Sequence, residues 1–352
     1  MITSIMLLLV FFACSKRPET DLVVKKVRGL HDTIGFAQYN WQMDSLYKRF
    51  KIENKQNGLH WKAAICPHDD YKYAGELYYK ALEGINANTI ILIGVAHKAR
   101  IFNLQDKLVF GDFTHWKSPY GELLVSKLNT ELMHLLPDND FMVHDSMQAL
   151  EHSLEAIIPF IYKKNSNLEI VPILVPYIDY NDLDSISTDL SNAIFKIIKK
   201  HNLSYGQDIA IIISNDAVHY GDVDWGGENM APYGTDSIST ANAREHDQSL
   251  IENYLIGNIN SEKIKSFLYE TTYENDYKKY KWVWCGRYSV PFGLATANKL
   301  NILINKKPLT GTLLGYASSI DHELVEVEDI SMGTTAIATS RHWVAYTSIR
   351  YE

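Results

Sequence analysis

The fold is indicated by the stretch Thr89-Ile90-Ile91-Leu92-Ile93-Gly94-Val95-Ala96-His97. Its first seven residues are almost all apolar or β-branched, and they lack the polar–apolar alternation of a half-exposed strand. Such a run is typical of a strand that is buried on both faces of a parallel sheet. Runs of the same kind occupy residues 168–176 and 208–214. We therefore predict three buried strands, the first of which leads into a histidine.

Helical patterns separate the predicted strands. Apolar residues recur at helical spacing over residues 183–201, and residues 146–162 are predicted to form one continuous helix. The alternation of strands and helices from residue 62 to 217 predicts an α/β fold with a mixed, largely parallel central sheet and helices on both faces. Two last strands, predicted at residues 310–317 and 333–340, would add an antiparallel pair.

The composition is that of an ordinary globular protein, with 46% hydrophobic and 22% charged residues among 352. No linker rich in proline, glycine or serine divides the chain, so we predict a single α/β domain over residues 60–352. The formal net charge is −8, which leaves no basic field to attract nucleic acid or an anionic membrane surface. We therefore expect no nucleic-acid partner.

The N-terminus resembles the signal of a bacterial lipoprotein. An apolar run at residues 5–12, too short to span a bilayer as a helix, precedes Ala13, Cys14 and a polar segment. On this interpretation residues 1–13 are a cleaved signal peptide, Cys14 is lipidated, and residues 14–59 form a tether and N-terminal segment. The protein would then lie in the bacterial cell envelope, periplasmic or on the outer membrane, and would contact the membrane through its lipid anchor only. Alternatively, the run packs as a buried strand.

A short apolar run at residues 63–66 and the predicted strands at residues 89–95 and 208–214 each lead into a histidine, namely His68, His97 and His219. Sites in parallel sheets form at the carboxyl ends of the strands, so these side chains can converge although they are far apart in sequence. Imidazole is the commonest metal ligand and a usual general base near neutral pH. The alternative is that they are solvated loop histidines.

Two cysteines outside the N-terminal signal add to this pattern. Cys285 lies beside Arg287 just before an apolar helical stretch, a setting that can lower a thiol pKa, although a free cysteine is often a small buried hydrophobe. Cys66 precedes His68 by two residues, so the two side chains point the same way along a strand. Cys66 could be a fourth metal ligand, could form a reversible disulfide with Cys285, or could be a core residue.

Several short motifs follow one another in a familiar order. They are Pro67–Gly75, Gly94–His97, Glu151–Glu155 with Ile158–Phe160 after it, Val171–Ile173, Ser214–Tyr220, Cys285–Arg287 and Gly311–Ser319. Together they resemble the Memo family, which also appears as protein B of the AmmeMemoRadiSam system. Each motif alone is weak, but their order over roughly residues 60 to 340 is specific.

The resemblance implies a fold shared with the class III extradiol dioxygenases, which use non-haem iron. It also implies a metal held by His68, His97 and Cys285, with His219 as a neighbour or fourth ligand. A thiolate in place of the carboxylate of those dioxygenases makes the site softer, so copper or iron is expected, with zinc as a further candidate.

Other side chains receive roles from the same resemblance. His219 would act as a proton donor or base oriented by Asp216. Glu151 and His152 would support the ligands, and Arg287 would bind a carboxylate or phosphate of a ligand. A buried structural ion network is the alternative for Asp216, Glu151 and Arg287.

Two acids depart from the family motif. Asp69 and Asp70 replace its Ala-Gly after the first histidine. They could supply oxygen ligands or alter the charge of the pocket, or they could be solvated loop residues.

The sequence thus predicts a Memo-like metal-binding protein, a redox-active metalloprotein or dioxygenase-like oxidoreductase that uses copper or iron. Two alternatives stay open. One is a non-catalytic lipoprotein that binds and buffers copper, with all metal positions filled by protein. The other is a module on the same fold that binds a small molecule or a peptide of unknown identity.

Overall fold

A computed structural model of the chain describes residues 24–51, 59–321 and 323–352. The predicted signal peptide, the lipidation site Cys14 and the first part of the predicted tether lie outside these residues. Among the described residues, no helix combines the length and the apolar character needed to cross a membrane.

Strands and helices alternate along most of the described chain. The strands are β1 Val27–Arg28, β2 Ala63–Cys66, β3 Thr89–Val95, β4 Leu108–Phe110, β5 His115–Ser118, β6 Gly121–Val125, β7 Phe141–Val143, β8 Glu169–Val175, β9 Ile209–Ser214, β10 His219–Gly221, β11 Gly257–Asn258, β12 Thr272–Tyr273, β13 Asp276–Tyr280, β14 Thr310–Ser318 and β15 His342–Tyr351. The helices are α1 Asn40–Arg49, α2 Tyr71–Leu82, α3 Leu128–Leu135, α4 Asp145–Leu150, α5 Ile158–Lys164, α6 Tyr180–His201, α7 Ser237–Leu250, α8 Ser261–Thr271 and α9 Ser289–Asn305.

One large sheet organises the protein, with the strand order β1-β5-β6-β8-β3-β9-β2-β15-β14-β11. Strands β8, β3, β9 and β2 are parallel to one another at its centre, whereas β15 and β14 continue it antiparallel. The prediction of a mixed, largely parallel sheet is therefore confirmed. The central order β3-β9-β2 also makes the three strands that lead to the histidines direct neighbours.

Helices cover both faces of this sheet. Alternate residues of β3 belong to different cores: Ile91 and Ile93 pack with α6 and α9, and Ile90 and Leu92 pack with α1, α2 and α5. Successive side chains of a strand point to opposite faces, so a continuous apolar run is what a sheet buried on both sides requires. Each fully buried side chain of this kind contributes about 1.5–3 kcal/mol to folding.

The predicted continuous helix at residues 146–162 was wrong. Helix α4 ends at Leu150, and α5 begins only at Ile158 after a short 3₁₀ turn at Glu155–Ile157. One distant and one local polar contact hold the chain out of the helix: the Glu151 carboxylate accepts from the N–H groups of His97 and Ser153. The apolar spacing continues across the break because both halves are buried, so periodicity alone could not reveal it.

The predicted strand at residues 333–340 was also wrong. The last strand of the sheet is β15, which lies between β2 and β14. The segment before β15 bonds to side chains of the domain instead of to a neighbouring strand. The backbone N–H and hydroxyl of Thr335 donate to the Asp70 carboxylate, and the Tyr73 hydroxyl donates to the Ala336 carbonyl.

Part of the predicted tether belongs to the folded domain. Strand β1 pairs parallel with β5 at the edge of the main sheet, and helix α1 follows it. The Arg28 side chain is fully buried and contacts the Trp116 ring at 4.7 Å. The segment from Val27 onward is thus packed against the α/β domain.

Candidate metal centre

Three strand ends bring the predicted histidines to one edge of the sheet. His68 follows β2, His97 follows β3, and His219 opens β10 a few residues after β9. Backbone bonds fix the loop after β9: Asn215 N–H donates to the Cys66 carbonyl, and His219 N–H donates to the Val283 carbonyl. The convergence at the carboxyl ends of neighbouring parallel strands agrees with the sequence argument.

Cys285 lies between two of these histidines. Its Sγ atom is 3.1 Å from Nε2 of His97 and 3.3 Å from Nε2 of His68. The cysteine reaches this place because its N–H donates to the Ala217 carbonyl and Trp284 pairs with Val218 as an isolated bridge. The structure therefore brings together the three residues predicted as metal ligands.

The tautomers of both histidines follow from their outer hydrogen bonds. The Ser214 hydroxyl donates to the Ser153 carbonyl at 2.6 Å, so it must accept from Nδ1–H of His68, 2.8 Å away. Nδ1 of His97 lies 2.8 Å from the Glu151 carboxylate, which can only accept. Each ring therefore carries a proton on Nδ1 and directs its Nε2 atom at Cys285, the arrangement of the supported histidines of metal sites.

Electrostatics favour a cation between Sγ of Cys285 and the Nε2 atoms of His97 and His68. Burial raises the pKa of the Cys285 thiol, but His97, His68 and His219 together more than offset this and hold its pKa well below the usual range. Burial lowers the pKa of His97, yet Glu151 and Cys285 together raise it well above its ordinary value. Burial lowers the pKa of His68 to about 4, which keeps this ring neutral. The donor set of two imidazoles and a thiolate fits a soft transition metal.

Asp216 supports a different histidine from the one expected. Its carboxylate accepts from the backbone N–H of His68 at 2.9 Å and lies 3.2 Å from Nε2 of the same ring. Asp216 and His219 form no ion pair or hydrogen bond in the described part of the chain, so the predicted orientation of His219 by Asp216 was wrong. His68, Asp216 and Cys285 form one group whose candidate ligand atoms all lie within 4.8 Å of one another.

His152 lies closer to the centre than predicted. Its ring stacks on His97, with 4.7 Å between centroids and 11° between planes. His68, His97 and His152 form a second group with candidate ligand atoms within 4.8 Å of one another. Burial lowers the pKa of His152 to about 3, so the ring is neutral, the form that binds metals.

The two acids after His68 have structural partners. The Tyr346 hydroxyl donates to the Asp69 carboxylate at 2.6 Å, and Thr335 donates twice to Asp70. Burial raises the pKa of Asp70 to about 7, and the neighbouring Asp69 adds to this shift. Neither acid belongs to a group of candidate ligand atoms among the described residues.

Cys66 lies at the end of β2 in the core under α2, and both it and Cys285 are free thiols. It is in neither ligand group among the residues described.

We predict that Cys66→Ser keeps the metal stoichiometry of the parent chain but loses about 1–3 kcal/mol in the free energy of unfolding, because a hydroxyl is buried there. Elemental analysis and urea denaturation measure the two quantities. A loss of bound metal would contradict the core placement.

A small cavity of about 130 Å³ adjoins the centre. It is lined by Val95, Ala96, His97, Val175, Pro176, Tyr177, His219, Met230, Tyr280, Val283, Cys285, Arg287 and Tyr288. Nε2 of His219 and Nε of Arg287 are buried here and have no hydrogen-bond partner among the described residues. The Arg287 guanidinium lies over the Tyr280 ring at 3.9 Å. The cavity thus combines polar donors with an opening to two of the predicted ligands.

Comparison with known proteins covers the part of the chain that contains these residues. Residues 37–336 match the family described as Memo-like protein. The chain belongs to the Memo family. A MEMO1 family protein of Saccharolobus solfataricus is 29% identical over 163 residues, which cover 44% of this chain and 52% of the relative. One of Thermococcus kodakarensis is 28% identical over 173 residues, covering 46% and 54% of the two chains. The chain spans about half the length of the curated relatives it matches.

Every predicted ligand of this Memo-family chain lies inside the matched region, but some supporting residues do not. Arg28 donates to the Glu151 carbonyl at 2.6 Å, and Asp32 lies 3.4 Å from Nδ1 of His152. Neither was predicted, because an arginine and an aspartate in a segment without periodicity carry no local signal. Ser214 was part of a recognised motif, and its place at a strand end beside His68 could have identified it.

Glu151 is the residue on which the orientation of His97 depends. We predict that Glu151→Gln lowers transition-metal affinity by about tenfold to a hundredfold, because the amide binds Nδ1–H less strongly and no longer stabilises a cation. Competition with a chromophoric chelator measures the affinity. Glu169→Gln, at the far end of β8, serves as the matched control and should keep the parent value. Equal metal affinities in the parent chain, Glu151→Gln and Glu169→Gln would refute the role of Glu151 as the support of His97.

Proposed function

We propose that the chain is a redox-active metalloprotein that holds copper or iron with His68, His97 and Cys285. The observation that supports this best is the meeting of two Nε2 atoms with one thiol sulfur at 3.1 and 3.3 Å. Three such donors repel one another unless a proton or a metal cation lies among them. A thiolate with two imidazoles suits copper, iron or zinc much better than magnesium or calcium.

The reaction proposed is oxidation or oxygenation of a small molecule in the adjoining cavity. A bound copper or iron ion would supply one-electron chemistry beside the cavity. His219 would give or take a proton at Nε2, and Arg287 would bind a carboxylate or phosphate of the ligand. Glu151 and Ser214 would keep His97 and His68 in the required tautomers.

A copper-buffering protein without turnover is the second candidate. Such a protein needs a closed site in which protein atoms fill every position, whereas catalytic sites keep one side open. The cavity beside His97 and Cys285 favours the enzyme, and the nearby His152 and Asp216 favour the closed site. A ligand-binding module that has abandoned the metal is disfavoured, because the donor atoms are all in place.

The deciding experiment loads the metal-free chain with copper, iron or zinc separately and measures bound metal by elemental analysis. The loaded proteins are then compared for dioxygen consumption in the presence of ascorbate. One equivalent of copper or iron with dioxygen uptake above that of the free ion supports the enzyme. Stoichiometric metal without uptake supports the buffer, and no stoichiometric metal refutes both.

We also propose attachment to the cell envelope through a lipid on Cys14. The support is the sequence alone, an apolar run followed by Ala13-Cys14 and a polar segment. Metabolic labelling with a fatty acid tests it, with Cys14→Ala as the matched variant. Label in the parent chain but not in the variant is expected, and an unlabelled parent chain would overturn the proposal.

A further inference from the structure

The segment of residues 28–36 precedes the region matched by the family, yet it packs against the candidate centre. We infer that this segment completes the centre by presenting His152 as a fourth metal ligand. The inference rests on the proposed function, since it adds a ligand to the metal site proposed there. It assigns to His152 a direct role, where the sequence indicated only a supporting one.

His152 lies within reach of the same ion. Its ring is stacked on His97, and its centroid is 5.6 Å from that of His68. One ring nitrogen from each of the three histidines falls in a group whose atoms lie within 4.8 Å of one another. Ligand atoms about 2 Å from one transition metal lie at most about 4 Å apart, so a small shift of these side chains on binding brings the three nitrogens to one ion.

Two carboxylates decide which nitrogen of His152 is available. Nδ1 lies 3.4 Å from Oδ2 of Asp32 and 3.7 Å from Oε1 of Glu151. Both carboxylates favour a proton on Nδ1, which leaves the lone pair on Nε2. This is the arrangement in which a carboxylate supports a metal-bound histidine through the opposite ring nitrogen.

The segment that carries Asp32 is fixed from both sides. Arg28 is fully buried, pairs with Glu155 and donates to the Glu151 carbonyl at 2.6 Å. The backbone N–H of His31 donates to the same Glu155 carboxylate at 2.9 Å. On the far side of Asp32, the Phe36 ring lies 6.3 Å from the His152 ring. Asp32 is therefore held over His152 by the same contacts that set the position of Glu151.

Asp216 is the competing fourth ligand, because it shares a group with His68 and Cys285. Its Oδ1 accepts from the backbone N–H of His68, and its Oδ2 lies 3.2 Å from Nε2 of the same ring, so both oxygens have neighbours that do not depend on a metal. Among the described residues, the polar contacts of His152 are all at Nδ1. Its Nε2 atom therefore has no such partner there. The geometry therefore favours His152.

The test is cobalt binding by the full chain, followed by visible absorption. Co²⁺ reports its ligands directly, because four-coordinate sites give strong visible bands and a thiolate gives a separate charge-transfer band. The variants are His152→Leu and Asp32→Asn, and their matched controls are His134→Leu and Asp138→Asn, which are exposed and belong to neither group of candidate ligands. Circular dichroism of each protein checks that it is folded.

His152→Leu is expected to keep the thiolate band but lose most of the visible-band intensity, because one ligand is replaced. Asp32→Asn is expected to weaken Co²⁺ binding by about tenfold to a hundredfold, and Asp32→Glu should restore part of it. Parent-like spectra and affinities in both variants would overturn the inference and leave the proposed function standing. A parent chain that binds no Co²⁺ at the thiolate would overturn both.

Discussion

Replacement of Cys285 by serine is expected to abolish stoichiometric binding of copper or iron. A serine hydroxyl is far harder to ionise than a thiol and is a poor ligand for soft metals, so the two imidazoles would be left with a water ligand. We expect the affinity to fall by at least about a hundredfold, more than for loss of a supporting residue. His68→Ala should have an effect of similar size, and elemental analysis after dialysis measures both.

Cys66→Ser is the matched control for this experiment, because both cysteines are buried free thiols and only Cys285 contacts the histidines. The control should bind as much metal as the parent chain. If Cys285→Ser retained one equivalent of metal with the parent affinity, the thiolate would not be a ligand, and the proposed centre would have to be abandoned.

Replacement of Arg28 by methionine is expected to lower the free energy of unfolding by about 3–5 kcal/mol. The fully buried guanidinium pairs with Glu155 and donates to the carbonyls of Gln148, Ala149 and Glu151. Its removal would leave a buried carboxylate and these carbonyls without their donor. Urea denaturation followed by circular dichroism measures the loss.

The matched control is Lys25→Met, three residues away in the same segment. Lys25 pairs with Glu122 at 2.6 Å, but its side chain is 58% exposed, so its loss should change stability by less than about 1 kcal/mol. The double variant Arg28→Met, Glu155→Leu should recover part of the lost stability, because no unpaired charge stays buried. An effect of Arg28→Met no larger than that of Lys25→Met would contradict the structural role of the pair.

Much of the fold was predictable because its signals are local. The run Thr89–Val95 and its counterparts at β8 and β9 are apolar without alternation, which only strands covered on both faces need. The antiparallel end of the sheet was predicted in kind, but its last strand was placed too early. The chain before β15 bonds to Asp70 and Tyr73, and such distant side chains leave no periodic trace.

The candidate site was predictable in its members and less so in its connections. Strand ends identified His68, His97 and His219, and the order of motifs added Cys285. The assignment of Asp216 to His219 failed because adjacency along a loop does not say which way a carboxylate faces. In the structure the carboxylate turns back to the N–H of His68, 148 residues away in sequence.

The sequence by itself determined the buried parallel strands and the histidines at their carboxyl ends, because side-chain periodicity and strand direction are properties of short segments. Only the tertiary structure decided the break between α4 and α5, the burial of Arg28 and the placement of His152 beside His97. These depend on partners that are distant in sequence, such as His97 and Glu151, separated by 54 residues, and Arg28 and Glu155, separated by 127. A buried polar group takes whichever partner the packed fold brings to it, and no local pattern encodes that choice.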